Sequence, residues 1–274
     1  MAIRLEVLDG VPWWASPDIW TVPGSPDGPR GLPLMGEPCY LWAFVHNRGD
    51  SAVVDAAVNF YWANPSVGFD RSTANFVGTS YVSLGPGDEA EVLCLTPWTP
   101  AFINRGHVCV LVEAFHSSLD PLPDSRDFSV PTDRHVAQRN VEIQLTRTGI
   151  FHVPFEIHNR GGQKQSFHIV VKQNKQADLA QLLNAAGVHL TGKVTHGKIE
   201  NLALSQSACP LPDEKAKATG PSESVVVDAK AVIGRTVAGK LKGQAAVLEV
   251  SQMQNNQVVG GLTIVVLDEK AVKQ

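Results

Sequence analysis

No lysine occurs in the first 138 residues of this 274-residue chain, and no tryptophan or tyrosine occurs after them. Residues 1–138 hold 7 Arg against 16 acids, a balance of −9, whereas residues 139–274 hold 16 Lys plus Arg against 11 acids, a balance of +5. A break of this kind predicts two domains meeting near 116–140. It also leaves an acidic and a basic half able to dock on one another, within a chain or between copies. The basic half is too dilute in charge and too poor in aromatics for a nucleic-acid surface.

Other absences narrow the function. The apolar runs are strand-sized, so no membrane span is expected. The start, Met1-Ala-Ile-Arg-Leu-Glu-Val-Leu8, alternates like a strand and has no apolar signal core. The expected location is therefore the cytoplasm, or outside the cell by a route that needs no cleaved signal. There is no GxSxG elbow, no phosphate-binding P-loop and no Rossmann glycine pattern. Neither a CxxC nor an HExxH spacing occurs, so no zinc site, metal or other cofactor is expected. The four cysteines, at 39, 94, 109 and 209, are expected to stay reduced. Cys39 falls in phase with an inward-facing set and Cys109 out of phase with its own, which argues against a bridge between them.

What the chain does have is one phrase written twice. Leu41-Trp-Ala-Phe-Val-His-Asn-Arg-Gly-Asp50 precedes the apolar run Ala56–Trp62; Val153-Pro-Phe-Glu-Ile-His-Asn-Arg-Gly-Gly162 precedes Phe167–Val171. In both, apolar residues alternate with period two, the mark of a half-buried strand. Cys39, Leu41, Ala43 and Val45 answer Ala56, Val58, Phe60 and Trp62. Phe151, Val153, Phe155 and Ile157 answer Phe167, Ile169 and Val171. The shared His-Asn-Arg-Gly reads as a tight hairpin turn, with Asn and Gly supplying left-handed backbone. Keeping the inward faces aligned makes the second turn one residue shorter, a change that belongs in a surface turn.

At these residues the chain resembles the bacterial Ig-like sandwiches of the CARDB type (cell-adhesion-related domain in bacteria), where an apolar strand ends in an Asn-Arg-Gly or Asn-x-Gly turn. The resemblance implies a scaffold and carries no catalytic residues. Together with strand-length runs joined by Gly/Pro/Asn/Asp turns, it gives an all-β expectation: two tandem antiparallel Ig-like β-sandwiches. The first is a Trp/Pro-rich acidic domain, 1–138; the second is a basic domain, 139–274. Leu179, Leu182, Leu183 and Ala186 share one helical face ahead of Gly187, so the second carries a short helical insertion near 176–186.

Candidate binding residues come from two places. Seven prolines between 12 and 38 exclude helix and central strand, and this segment holds Trp13, Trp14 and Trp20. They serve either as a cover over Trp42 and Phe44 or as an aromatic patch for a protein or glycan partner. Arg48-Gly49-Asp50 is an RGD tripeptide on the first turn, although the second copy has Gly162 in place of the acid. Asp120, Asp124, Asp127 and Asp133 match no calcium-loop spacing. His46, His107, His116 and Asp55 could meet at one end of the first sandwich, but no short metal-ligand spacing supports this. The function these features suggest is a non-catalytic binding or assembly protein engaging its partner through Pro/Trp-rich and strand-end loops. A self-assembling structural, toxin or injection-system component and a metal-assisted hydrolase are the alternatives.

Overall fold

The computed structural model describes residues 2–63, 69, 71, 74–100, 109–124, 128, 130–159, 161–206 and 220–273. Cys209, His107, Asp127, Arg160, the loop 209–213 and the Lys/Ala-rich 214–219 lie outside the described residues. The chain divides into two compact units. One is built from the residues up to Asn140 together with Ala180–Val188, and the other from Val141–Leu179 and the residues from His189 onward.

In the first unit, β1 (Leu5–Glu6), β2 (Ile19–Pro23), β3 (Cys39–Asn47) and β6 (Glu89–Leu93) make one sheet. β3 is its centre, with β1 and β2 sharing one edge and β6 on the other. The facing sheet has the order β5-β4-β7-β8, from β4 (Val53–Ala63), β5 (Asn75–Leu84), β7 (Cys109–Phe115) and β8 (Val136–Arg139). Strands thus alternate between two sheets in the immunoglobulin manner. Period-two alternation buries Leu41, Ala43, Val45, Ala56, Val58 and Phe60 between them, each large side chain contributing roughly 1.5–3 kcal/mol.

The second unit also has two facing sheets, of three and five strands. β10 (Ile150–His158) pairs with β14 (Val232–Lys242), which also takes β12 (Lys198–Ser205). The facing sheet runs β13-β11-β15-β16-β9, from β9 (Val141–Thr146), β11 (Gln165–Gln173), β13 (Ser222–Val227), β15 (Ala245–Gln254) and β16 (Gln257–Asp268). Phe151, Val153, Phe155 and Ile157 face Phe167, Ile169 and Val171 in the shared core. Asn255 and Asn256 take positive φ in the β15–β16 turn, the conformation a two-residue hairpin needs. One ladder departs from the expected antiparallel pattern: β9 lies parallel to β16. The long stretch of chain between them supplies the crossover a parallel pair requires.

The repeated phrase is not a hairpin. β3 pairs with β1, β2 and β6 while β4 pairs with β5 and β7, so the two lie in different sheets. β10 and β11 are separated in the same way. Each His-Asn-Arg-Gly turn is an arch carrying the chain across the core. Alternation is the same for strands that pair and for strands that face each other, so the pattern could not separate the two cases.

The arch has its own chemistry, and it centres on a buried asparagine rather than on left-handed backbone. Asn47 Nδ2 donates to Ser51 O (2.8 Å) and Gly85 O (2.9 Å), while its Oδ1 accepts from Gly49 N (3.0 Å). Asn159 Nδ2 donates to Gln163 O, Val227 O and Asp228 O, and its Oδ1 accepts from Gly161 N (2.9 Å). In both units the asparagine ties its own turn to the turn between the strands β5 and β6 or β13 and β14. Neither Asn47 nor Gly49 has positive φ. Glycine is needed at 49 for close approach, since a Cβ there would lie 2.1 Å from Ala2 O.

The helix forms as α1 (Leu179–Ala185) with Leu179, Leu182, Leu183 and Ala186 buried, and Gly187 follows it at φ +65°. In sequence α1 falls between β11 and β12, but Ala180–Val188 group by contact with the first unit. Arg139 Nη2 donates to Leu182 O and its Nη1 to Ser16 O, both at 3.1 Å. Desolvation, with Arg30 nearby, lowers the Arg139 pKa to about 10.

Candidate binding surface

β2 sits beside β3 so that Trp20 is directly opposite Trp42. Inward-facing Ile19, Leu41 and Ala43 flank this pair, so both indoles lie on the outer face of the sheet. The rings stack at 6.0 Å with 10° between planes. Beyond β2 the Pro/Gly-rich chain returns over them. Gly24 N donates to Pro38 O, Gly31 N donates to Thr21 O, and Thr21 Oγ1 donates to Gly31 O. This brings the Arg30 guanidinium to 3.7 Å from the Trp20 ring centroid, a cation–π contact. Arg30 Nη2 also reaches Glu91 Oε1 on β6 at 3.5 Å.

The result is a cleft of about 320 Å³ lined by Trp20, Val22, Asp27, Arg30, Trp42 and Glu91. Trp20 is nearly covered, whereas Trp42 is half-buried. Trp42 Nε1 is buried and finds no acceptor among the described residues. The site therefore combines the accessible part of one indole, Trp42, with two carboxylates and a guanidinium, Trp20 lying buried beneath Arg30.

The sequence-derived candidates divide between faces. Trp20 lines the cleft. Trp13 and Trp14 contact each other edge to face at 5.2 Å. Trp14 is buried, and Trp13 packs on the outer cluster of the facing sheet with Tyr61, Leu111 and Phe128. Trp42 is half-buried under the returning Pro/Gly-rich segment and lines the cleft with it. Nothing in the spacing of the loop signalled that Arg30, Asp27 or Glu91 would join it. The arch at the end of β3 holds Arg48 and Asp50. Arg48 reaches Glu6 Oε2 (3.6 Å) and Glu89 Oε2 (3.9 Å), and Asp50 Oδ1 accepts from Ala2 N and Ser51 Oγ. Both charged members of the RGD tripeptide are thus engaged in fixing the arch and the N-terminal strand.

The titratable clusters are also committed locally. His46 is buried with Nε2 2.8 Å from Asp18 Oδ2 and Nδ1 2.9 Å from Glu89 Oε2, and Leu8 N donates to the same Asp18 oxygen. Burial pushes the Asp18 carboxyl upward against these contacts. His135 lies between Asp133 Oδ1 (2.7 Å) and Asp120 Oδ1 (3.2 Å), and Arg134 pairs with Asp120. Glu113, buried on β7, accepts from Tyr61 Oη and pairs with Arg71. Among the described residues no group of three or more His, Cys, Asp or Glu side chains could hold a metal ion. Among the described residues two Ser–His pairs occur, Ser118–His116 at 3.4 Å and Ser224–His168 at 3.1 Å. In neither does a described carboxylate contact the other ring nitrogen, as a triad would require.

Cys39, Cys94 and Cys109 are free and buried. Cys39 belongs to the core between the sheets and Cys109 to the cluster outside it, as their strand phase implied. Burial pushes Cys39 to about 12 and Cys109 well above its ordinary range, which leaves neither as a nucleophile near neutral pH.

No protein-family model matches the chain, and no curated protein matches it. Among solved structures it is similar to the CupB6 tip adhesin from Pseudomonas aeruginosa, at 10% identity and TM-score 0.26, covering 98% of this chain and 99% of that one. It is similar to CBD12 from CALX1.2 at 9% identity and TM-score 0.21, covering 91% and 99%. Red sea bream transglutaminase gives 8% identity and TM-score 0.25, covering 98% of this chain, which spans about a third (32%) of that protein. Superpositions at these scores carry no argument about function.

Proposed function

We propose that the chain is a non-catalytic binding scaffold whose first unit takes a glycan in the Trp20–Trp42 cleft. The observation that carries this reading is the stacked indole pair ringed by Asp27, Glu91 and Arg30. A sugar ring offers an apolar C–H face for an indole and hydroxyls for carboxylates and guanidinium. A shallow, mostly polar cleft suits that ligand better than it suits an apolar peptide anchor. The committed state of every buried histidine and cysteine described above supports a binding role over a hydrolytic one.

The two units share inward residue sets and the asparagine arch, although their sheets differ in strand number and order, so we read them as two copies of one sandwich. The Asn-x-Gly arch is also the feature that the likeness to CARDB-type adhesion domains rests on. Self-assembly through acidic and basic halves is the competing reading, and salt dependence separates it from the one below.

A glycan array probed with the full chain and with Trp42→Ala tests the proposal. Binding to a defined set of glycans that Trp42→Ala loses, with an unchanged circular dichroism spectrum, is the expected result. A variant that binds as well as the parent, or a parent that binds no glycan, would overturn it.

A further inference from the structure

Sheet edges expose unpaired backbone groups, and proteins usually protect them with charges, prolines, short strands, bulges or a covering segment. Among the described residues every edge strand but one carries a charge or a proline. Pro23 ends β2, Glu91 sits in β6, Arg139 in β8, Glu142 in β9, Pro154 in β10 and Glu223 in β13. The short β1 carries Glu6, and β12 carries Lys198 and Glu200. Of the described edge strands only β5, Asn75-Phe-Val-Gly-Thr-Ser-Tyr-Val-Ser-Leu84, has neither a charge nor a proline across its ten residues. It pairs with β4 on one side. Among the described residues it makes no backbone hydrogen bond on the other.

Its inward side packs toward β6, where Ser80 Oγ donates to Leu93 O, while two of its outward aromatic side chains are open. Tyr81 is 67% exposed and Phe76 is 58% exposed. The register with β4 places Tyr61 opposite Phe76 and Phe60 opposite Gly78, so Val77 is the extra residue of a bulge. The bulge shifts the alternation. Phe76, Thr79 and Tyr81 all lie on the outer face, where Phe76 meets Tyr61 edge to face at 5.5 Å and Thr79 Oγ1 donates to Asn59 Oδ1.

We propose that β5 is a dimerisation edge, pairing antiparallel with β5 of a second copy about a two-fold axis at Thr79. Counting the bulge as one position, Phe76 lies two positions before Thr79 and Tyr81 two after. A two-fold axis there sets each Phe76 opposite the partner's Tyr81, giving two aromatic cross-strand pairs. Such self-complementarity is what a two-fold interface requires, and a strand with no charge meets its own copy without repulsion. The two four-stranded sheets join into one, and the uncharged edge disappears from both. A second copy is also the one occupant whose strand length and register are guaranteed to match.

Sedimentation velocity on the full chain, over a wide concentration range and at low and high salt, tests this. The expected species is a dimer that tightens as salt rises, because two acidic first units approach each other and salt screens their repulsion. Tyr81→Lys, at an exposed position, should weaken the dimer about tenfold. The double variant Phe76→Glu/Tyr81→Lys should recover it, by placing Glu and Lys opposite each other twice. A monomer at every concentration would overturn the proposal. So would a dimer indifferent to Tyr81→Lys, or one that weakens with salt, which would instead mark docking of acidic on basic halves. None of these substitutions touches the Trp20–Trp42 cleft, so glycan binding and dimerisation fail separately.

Discussion

Asn47 and Asn159 each satisfy carbonyls from two turns at once while accepting an amide of their own. Replacing either by alanine leaves buried carbonyls without donors, a loss of about 2–4 kcal/mol. Urea unfolding of Asn47→Ala and Asn159→Ala should therefore show clearly lower midpoints. Asp50→Ala, an exposed change in the same arch, should move the midpoint far less. Asp9 supplies a pH test of small amplitude, because the residue is solvent-exposed and water screens its neighbours. Partial desolvation, then the carboxylates of Glu6 and Asp133, raise its pKa to about 7. The folded state thus holds that proton more tightly than the unfolded chain does. The stability this contributes is complete below the ordinary carboxylate range and is lost as pH climbs through about 7. Asp9→Asn should flatten the fall in urea midpoint between pH 5 and pH 8; an unchanged slope would remove Asp9 from the account.

The arches show what alternation can and cannot convey. Inward residues such as Leu41, Val58, Phe155 and Ile169 were readable because burial with period two leaves its mark in the sequence. Whether β3 pairs with β4 or faces it was not, since both arrangements bury the same residues. The same limit hid β14, whose burial pattern alternates poorly, and the parallel docking of β9, which depends on distant β16. By contrast, α1 and the Asn255–Asn256 turn were legible because a helical face, a stop glycine and a two-residue turn are local signals. Glycine at the arch gives an element-scale prediction. A Cβ at 49 meets backbone, Ala2 O at 2.1 Å, whereas at 161 its nearest neighbour is the flexible Gln165 Nε2 at 2.6 Å. Gly49→Ala should cost about 1–3 kcal/mol by overpacking, and Gly161→Ala distinctly less, as read from paired unfolding curves.

At the scale of the molecule, charge and aromatics are partitioned, and the features with functional promise fall in the acidic, Trp-rich unit. Sequence reasoning located Trp20 because indoles in a proline-rich segment must be buried or used. It missed Arg30, Asp27 and Glu91, which reach the cleft only through the return of a loop and the packing of β6. It grouped Trp13 and Trp14 with Trp20, although the fold sends them to the opposite face of the sandwich. The central claim is that the Trp20–Trp42 cleft is where this scaffold meets its ligand. The most direct measurement is a two-dimensional amide spectrum of the six indole N–H groups, assigned by single Trp→Phe variants. The spectrum is recorded with and without an oligosaccharide chosen from the array. The account expects the Trp42 and Trp20 signals to shift while those of Trp13 and Trp14 stay in place; shifts confined to Trp13 and Trp14, or none at all, would contradict it.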